Sequence, residues 1–159
     1  GKTEIGRALS KKMEFEFNDL DNLIEVKYNQ LVPTIFKEQG EEKFRIYEKE
    51  CLYSLLGKDR YVLSVGGGAI NSETIDMSHS FKYRIWLQAS IEVLIERYRR
   101  GEKNKPLLYN TNNIYEILSG LYNIRKNFYR NCSNIVINTN EKTIDEIINE
   151  SITKINEFN

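Results

Sequence analysis

Histidine occurs once in the 159 residues, as His79, tryptophan once, as Trp86, and cysteine twice, as Cys51 and Cys132. The cysteines are far apart and fit neither a CxxC nor a zinc-ligand pattern, so we expect two reduced thiols in a cytoplasmic protein. His79 lies in a polar stretch and takes no catalytic role. Excess charge is missing as well: 23 basic side chains balance 23 acidic ones. No global field recruits nucleic acid or an anionic membrane surface, and neither is expected as a partner. No apolar run reaches the roughly 20 residues that span a bilayer. A leader peptide is not expected either, because the chain opens inside a motif. Proline is confined to Pro33 and Pro106. Apolar periodicity persists through the Asn-, Ile- and Lys-rich composition, which excludes disorder.

What is present is one domain's length of alternating helical and strand patterns. Ile5, Ala8 and Leu9 mark a helix over 4–12, and Phe15-Glu16-Phe17 alternates like a short strand. Helices are predicted over 22–28 and from Pro33 to Gly40, with proline at the start and glycine at the stop. A longer helix follows over 41–56, with Phe44, Tyr47, Cys51 and Leu55 at helical spacing. Tyr61 to Val65 and Tyr83 to Leu87 read as parallel strands, apolar on both faces. Helix is predicted over 90–99, capped by Ser90, and over 114–129. The stretch 101–113 is polar, basic and broken by Pro106, and reads as a loop. A strand over 134–138 and a helix over 143–157 with an isoleucine stripe close the chain. Strands and helices in alternation argue for a parallel sheet covered on both faces.

Four features carry chemistry. Gly1-Lys2-Thr3 opening a helix is the tail of a phosphate-binding loop. Asp19 and Asp21 follow the first strand, where they are either a turn or a metal and substrate pair. Gly66-Gly67-Gly68 follows the second strand and either makes a turn or lets a ligand approach bare backbone. Arg45 and Arg125 present the planar fork that matches a carboxylate. Arg45 with Glu48 also fits a solvated helix pair, and Arg130 rivals Arg125. Together the four suggest a small-molecule kinase.

In this order the motifs resemble the shikimate kinase family of P-loop phosphotransferases over nearly the whole chain. The residues that carry the resemblance are Gly1-Lys2-Thr3, Asp19-Leu20-Asp21 with Ile24-Glu25, Ile35-Phe36, Gly40-Glu41 with Phe44-Arg45 and Glu48, Gly66-Gly67-Gly68, Pro106-Leu107-Leu108, and Arg125 with Tyr129. The resemblance implies one α/β domain over 1–159, a three-layer α/β/α sandwich with a doubly wound parallel five-stranded sheet. Substrate-binding helices would span about 22–57 and a lid about 100–113. It implies transfer of the ATP γ-phosphate to the 3-hydroxyl of shikimate, with Mg²⁺, in aromatic amino-acid synthesis, by a monomer. Gly1, Lys2 and Thr3 would bind the nucleotide, with Lys2 at the β- and γ-phosphates and the Thr3 hydroxyl on Mg²⁺. Asp19 would hold the metal through water, and Asp21 would bind the substrate hydroxyls and orient or deprotonate the attacking one. Arg45 and Arg125 would clamp the carboxylate, with Gly66, Gly67 and Gly68 packed against the substrate. Arg99 or Arg100 would lie near the adenine, and Lys105 in the lid would support the transferring phosphate.

Two departures from the family pattern stand out. The strand and first part of the phosphate loop that the family carries ahead of Gly1 are not in this sequence, which we therefore expect to be a piece of a longer protein. The family's usual lid arginine before Pro-Leu-Leu is Lys105 here, which keeps the charge and loses the bidentate fork. Two other functions are kept open: a P-loop kinase of another hydroxy acid such as gluconate, and a non-catalytic shikimate-binding domain.

Overall fold

A computed structural model of the chain describes residues 1–100 and 113–158. The elements run α1 (Lys2–Met13), β1 (Glu16–Asp19), α2 (Leu20–Tyr28), α3 (Val32–Ser54), β2 (Tyr61–Ser64), α4 (Ile75–Ser78), β3 (Ile85–Gln88), α5 (Ile91–Arg100), α6 (Ile114–Cys132), β4 (Ile135–Asn138) and α7 (Ile144–Glu157). The strands pair in parallel two by two, β1 with β2 and β3 with β4, and the alternation with helices is that of the expected α/β fold. The strand that the resemblance implies ahead of Gly1 is not among these residues. Within the described residues β2 and β3 therefore each have a hydrogen-bonded neighbour on one side only. Both strands are half-buried along most of their length rather than closed on both faces, as their apolar sequences predict.

Two apolar clusters hold the layers together. The first joins α2, α3 and the loop after β2 through Leu20, Ile24, Ile35, Phe44, Leu52 and Ala69. The second joins α1, β4 and α7 through Ile5, Ile135, Ile137, Ile147 and Ile155, so much of the predicted isoleucine stripe is core. A capping box starts α7: the Thr143 hydroxyl accepts from the Glu146 N–H, and the Glu146 carboxylate accepts from the Thr143 N–H. The break predicted at Gly40 is real, since Gly40 leaves helical geometry at φ 82° and ψ 171° and kinks α3 there. The first half of α3 is tied to α2 by the Glu25 carboxylate, which accepts the Val32 N–H at 2.9 Å. The short helix α4 is absent from the sequence-based prediction, because four residues are too few for a periodic signal. Helix α6 runs three residues past its predicted end. Among the described residues no helix is long and apolar enough to cross a membrane.

Candidate active site

Parallel pairing places the ends of β1 and β2 on one side of the molecule. Asp19 and Ser64 are register partners, so the acidic turn and the glycine loop emerge side by side. Carboxyl ends of parallel strands are where α/β proteins form ligand clefts. Asp19 ends β1 and caps α2, accepting the Asp21 N–H on Oδ1 at 3.1 Å. Its other oxygen accepts from the Thr3 hydroxyl at 2.8 Å, which ties the N-terminus of α1 to the acidic turn. The two residues expected at the metal are therefore in contact, across 16 positions of sequence.

The three glycines have no left-handed backbone, since among the described glycines only Gly40 and Gly57 have positive φ. At Gly67 and Gly68 the requirement is space. A Cβ on Gly66 would lie 3.5 Å from Glu48 Oε1 and 3.6 Å from Asp21 Oδ1. On Gly67 it would lie 3.2 Å from an Arg125 guanidinium nitrogen and 3.3 Å from the Tyr129 hydroxyl, and on Gly68 only 2.6 Å from Arg45 Nη2. Gly67 thus lets Arg125 and Tyr129, and Gly68 lets Arg45, come closer to the backbone than a Cβ would readily allow, whereas the distances at Gly66 are ordinary contacts. The loop closes through the Ala69 N–H, which donates to the Gly66 carbonyl at 3.1 Å.

Arg45, on the second half of α3, is held from two sides. Nη1 donates to Glu48 Oε2 at 2.8 Å, and Nε and Nη2 donate to Glu41 Oε1 at 3.2 and 2.7 Å. Its guanidinium carbon sits 5.2 Å from the Phe44 ring centroid. The solvated-pair reading fails because Glu48 is 1% exposed. Glu48 falls on the Phe44–Cys51 stripe of α3, four residues after one and three before the other, so its burial was legible from helical spacing. Burial pushes the Glu48 carboxyl above the usual range, against the pull of Arg45. Asp21 keeps access to solvent on one side. The protein packed round its carboxyl group still raises its pKa, as does Asp19, while Lys2 and Arg45 pull it down. These influences place both cations within electrostatic reach of Asp21.

Arg125 comes from α6 and reaches the same loop, whereas Arg130 is exposed. A cleft of about 220 Å³ opens between the two arginines, lined among others by Arg45, Lys49, Gly68, Asn71, Arg125 and Phe128. Lys2 is exposed at the start of α1. Arg99 and Arg100 are exposed on α5, where Arg100 pairs with Glu96. The arginine of α5 that is anchored is Arg97. It donates to the Thr139 hydroxyl at 2.9 Å and the Thr139 carbonyl at 2.6 Å, at the end of β4. Nothing local distinguishes Arg97 from its neighbours, because its partner lies 42 residues away. Lys105 and Pro106-Leu107-Leu108, with the expected lid, lie outside the described residues.

Among the described residues no group of three or more His, Cys, Asp or Glu side chains could hold a metal by itself. The Thr3 hydroxyl and Asp19 carboxylate are hard oxygen donors, the kind Mg²⁺ accepts when phosphate oxygens and water complete its shell. The donor set fits that ion.

The family model for shikimate kinase (SKI) matches residues 1–156. A shikimate kinase of Enterococcus faecalis is 35% identical over 158 residues, covering 99% of this chain and 93% of the relative. One from Pseudomonas syringae is 36% identical, over 99% of this chain and 91% of the relative. Among solved structures, a shikimate kinase from Acinetobacter baumannii in complex with shikimate superposes with a TM-score of 0.91 at 32% identity, over 99% of this chain and 87% of that one. The Aquifex aeolicus enzyme superposes at 0.82 with 29% identity, over 98% and 90%.

Proposed function

The chain belongs to the shikimate kinase family, whose reaction is transfer of a phosphoryl group from ATP to shikimate, and we propose that the cleft between Arg45 and Arg125 holds the substrate for it. One observation carries this reading. Two guanidinium groups from different helices converge on a glycine loop that also borders the Asp21 carboxylate. That arrangement suits a ligand with an anionic end and a hydroxylated end. The carboxylate of shikimate lies between Arg45 and Arg125, and the ring packs on Gly66, Gly67 and Gly68. The ring hydroxyls then face Asp21.

Asp21 orients the 3-hydroxyl and accepts its proton. The hydroxyl oxygen forms the new bond to the γ-phosphorus as the bond from phosphorus to the β-bridging oxygen breaks, leaving ADP. A carboxyl group with a raised pKa is the better proton acceptor. Gly1, Lys2 and Thr3 meet the nucleotide. The positive end of the α1 dipole lies at Gly1 and favours phosphate there, and Lys2 adds charge. Thr3 and Asp19 are the residues that would hold Mg²⁺, which when bound neutralises charge on the phosphates. Arg99 and Arg100 remain candidates for the adenine, and Lys105 for support of the transferring group.

The test is ADP release in a coupled assay with shikimate and gluconate offered separately to the full chain. Turnover with shikimate is expected. Phosphorylation of gluconate but not shikimate overturns the substrate assignment, and shikimate binding without ADP release would favour a non-catalytic domain.

A further inference from the structure

Tyr129 has been given no role so far, yet its hydroxyl lies beside the Arg125 guanidinium and donates to the carbonyl of Gly67 across 62 residues. It lies one helical turn beyond Arg125 on α6, and both side chains face Gly67. Burial pushes the Tyr129 hydroxyl up, so it stays protonated and a donor at any working pH. Its ring is held independently against Trp86, with centroids 5.8 Å apart and planes at 50°.

The carbonyl it holds belongs to the peptide unit joining Gly67 to Gly68, and no cis peptide bond occurs in the described chain. In a trans unit the C=O and N–H point in opposite directions. Anchoring the Gly67 oxygen on α6 therefore turns the Gly68 N–H away from Tyr129. Gly68 lines the cleft that Arg45 and Arg125 border. Two successive glycines have wide conformational freedom, so a peptide plane between them needs an external anchor to keep one orientation.

Resting on the assignment of shikimate to this cleft, we propose that Tyr129 is a positioning residue: it fixes the Gly67–Gly68 peptide plane so that the Gly68 N–H donates to the substrate carboxylate between the two arginines. The ammonium- and guanidinium-free character of that donor matters. A backbone N–H adds a directed bond without adding charge, and it specifies where the carboxylate sits in the fork.

Tyr129→Phe keeps the ring on Trp86 and removes the hydroxyl alone. The expected result, measured on the full chain, is a roughly tenfold rise in KM for shikimate, with kcat and KM for ATP within twofold of the parent. A merely structural role would instead shift both KM values and the melting temperature together, and that result overturns the proposal, as does an unchanged KM for shikimate. Trp86→Phe loosens the ring while leaving the hydroxyl, and is expected to keep the shikimate KM within twofold. A tenfold rise there would assign the effect to packing and also overturn the proposal. If the parent chain itself releases no ADP with shikimate, the substrate assignment fails first. An active parent with an unaffected Tyr129→Phe variant refutes only the role of Tyr129.

Discussion

Replacing Arg45 by Met keeps the aliphatic stem beside Phe44 and deletes the charge that compensates Glu48. Glu48 is 1% exposed, and its Oε2 loses the 2.8 Å bond from Arg45 Nη1, while Oε1 is buried without a hydrogen-bond partner among the described residues. Removing one member of a buried ion pair costs about 3–5 kcal/mol, because the other charge is left in a desolvated site. The Arg45 side chain is 25% exposed, so water already screens part of its charge, which argues for the lower end, about 3 kcal/mol. For a domain of this size that is a fall in melting temperature of roughly 6–12 °C. The penalty depends on pH with a definite sign. Burial already holds the folded pKa of Glu48 above its unfolded value, and loss of Arg45 raises it further. The folded variant binds the Glu48 proton more readily than the unfolded chain does. Its deficit is therefore full above the folded pKa, shrinks by up to about 1.4 kcal/mol per pH unit as pH falls, and vanishes below the unfolded value near 4.3. Melting curves of the parent and the Arg45→Met variant at pH 8 and pH 5 measure this directly. The gap should narrow at pH 5, and adding Glu48→Gln should recover most of the loss at pH 8. An equal gap at both pH values, with no recovery in the double variant, refutes the reasoning.

Further outcomes follow from the same geometry. Gly68→Ala puts a Cβ 2.6 Å from Arg45 Nη2, so the guanidinium must shift; KM for shikimate should rise roughly tenfold or more, and the melting temperature should fall as well, because the same guanidinium holds the buried Glu48 carboxylate. Asp21→Asn should lower kcat by about 10²–10⁴-fold without abolishing shikimate binding, which steady-state kinetics and calorimetry separate. Since burial and Asp19 raise the Asp21 pKa and the ionised form is the active one, the acid limb of kcat/KM should lie above the ordinary aspartate value of about 3.9; a limb at or below that value contradicts the assignment. Lys105→Arg restores a bidentate fork and should raise kcat a few-fold, and unchanged turnover would show that charge alone suffices there.

Much of this molecule could be read from short-range pattern. The helical stripe of α7, the kink at Gly40, the apolar runs that became β2 and β3, and the Ser90 and Thr143 caps all depend on residues within a few positions of one another. The resemblance likewise named Arg45, Arg125, Asp21 and the glycines from the motifs alone. Glu48 was within reach too, since helical spacing puts it on the buried stripe of α3, but a nearby arginine made a solvated pair the simpler expectation.

The chain's local chemistry determined that it alternates strand and helix, that Gly1-Lys2-Thr3 stands at the start of a helix, and that a glycine run follows a strand. Only the tertiary structure decided which side chains meet. Arg125 rather than Arg130 faces Gly67, Thr3 meets Asp19, Tyr129 anchors a carbonyl 62 residues away, and Arg97 rather than its neighbours is fixed to β4. The physical reason is the range of the interactions. Periodicity and capping are set by contacts within a turn or two of chain, whereas these choices depend on how α1, α3 and α6 converge on the ends of parallel strands. Gly66, Gly67 and Gly68 illustrate the division: sequence shows three residues without side chains, and the fold shows that Gly67 leaves room for Arg125 and Tyr129 and Gly68 for Arg45.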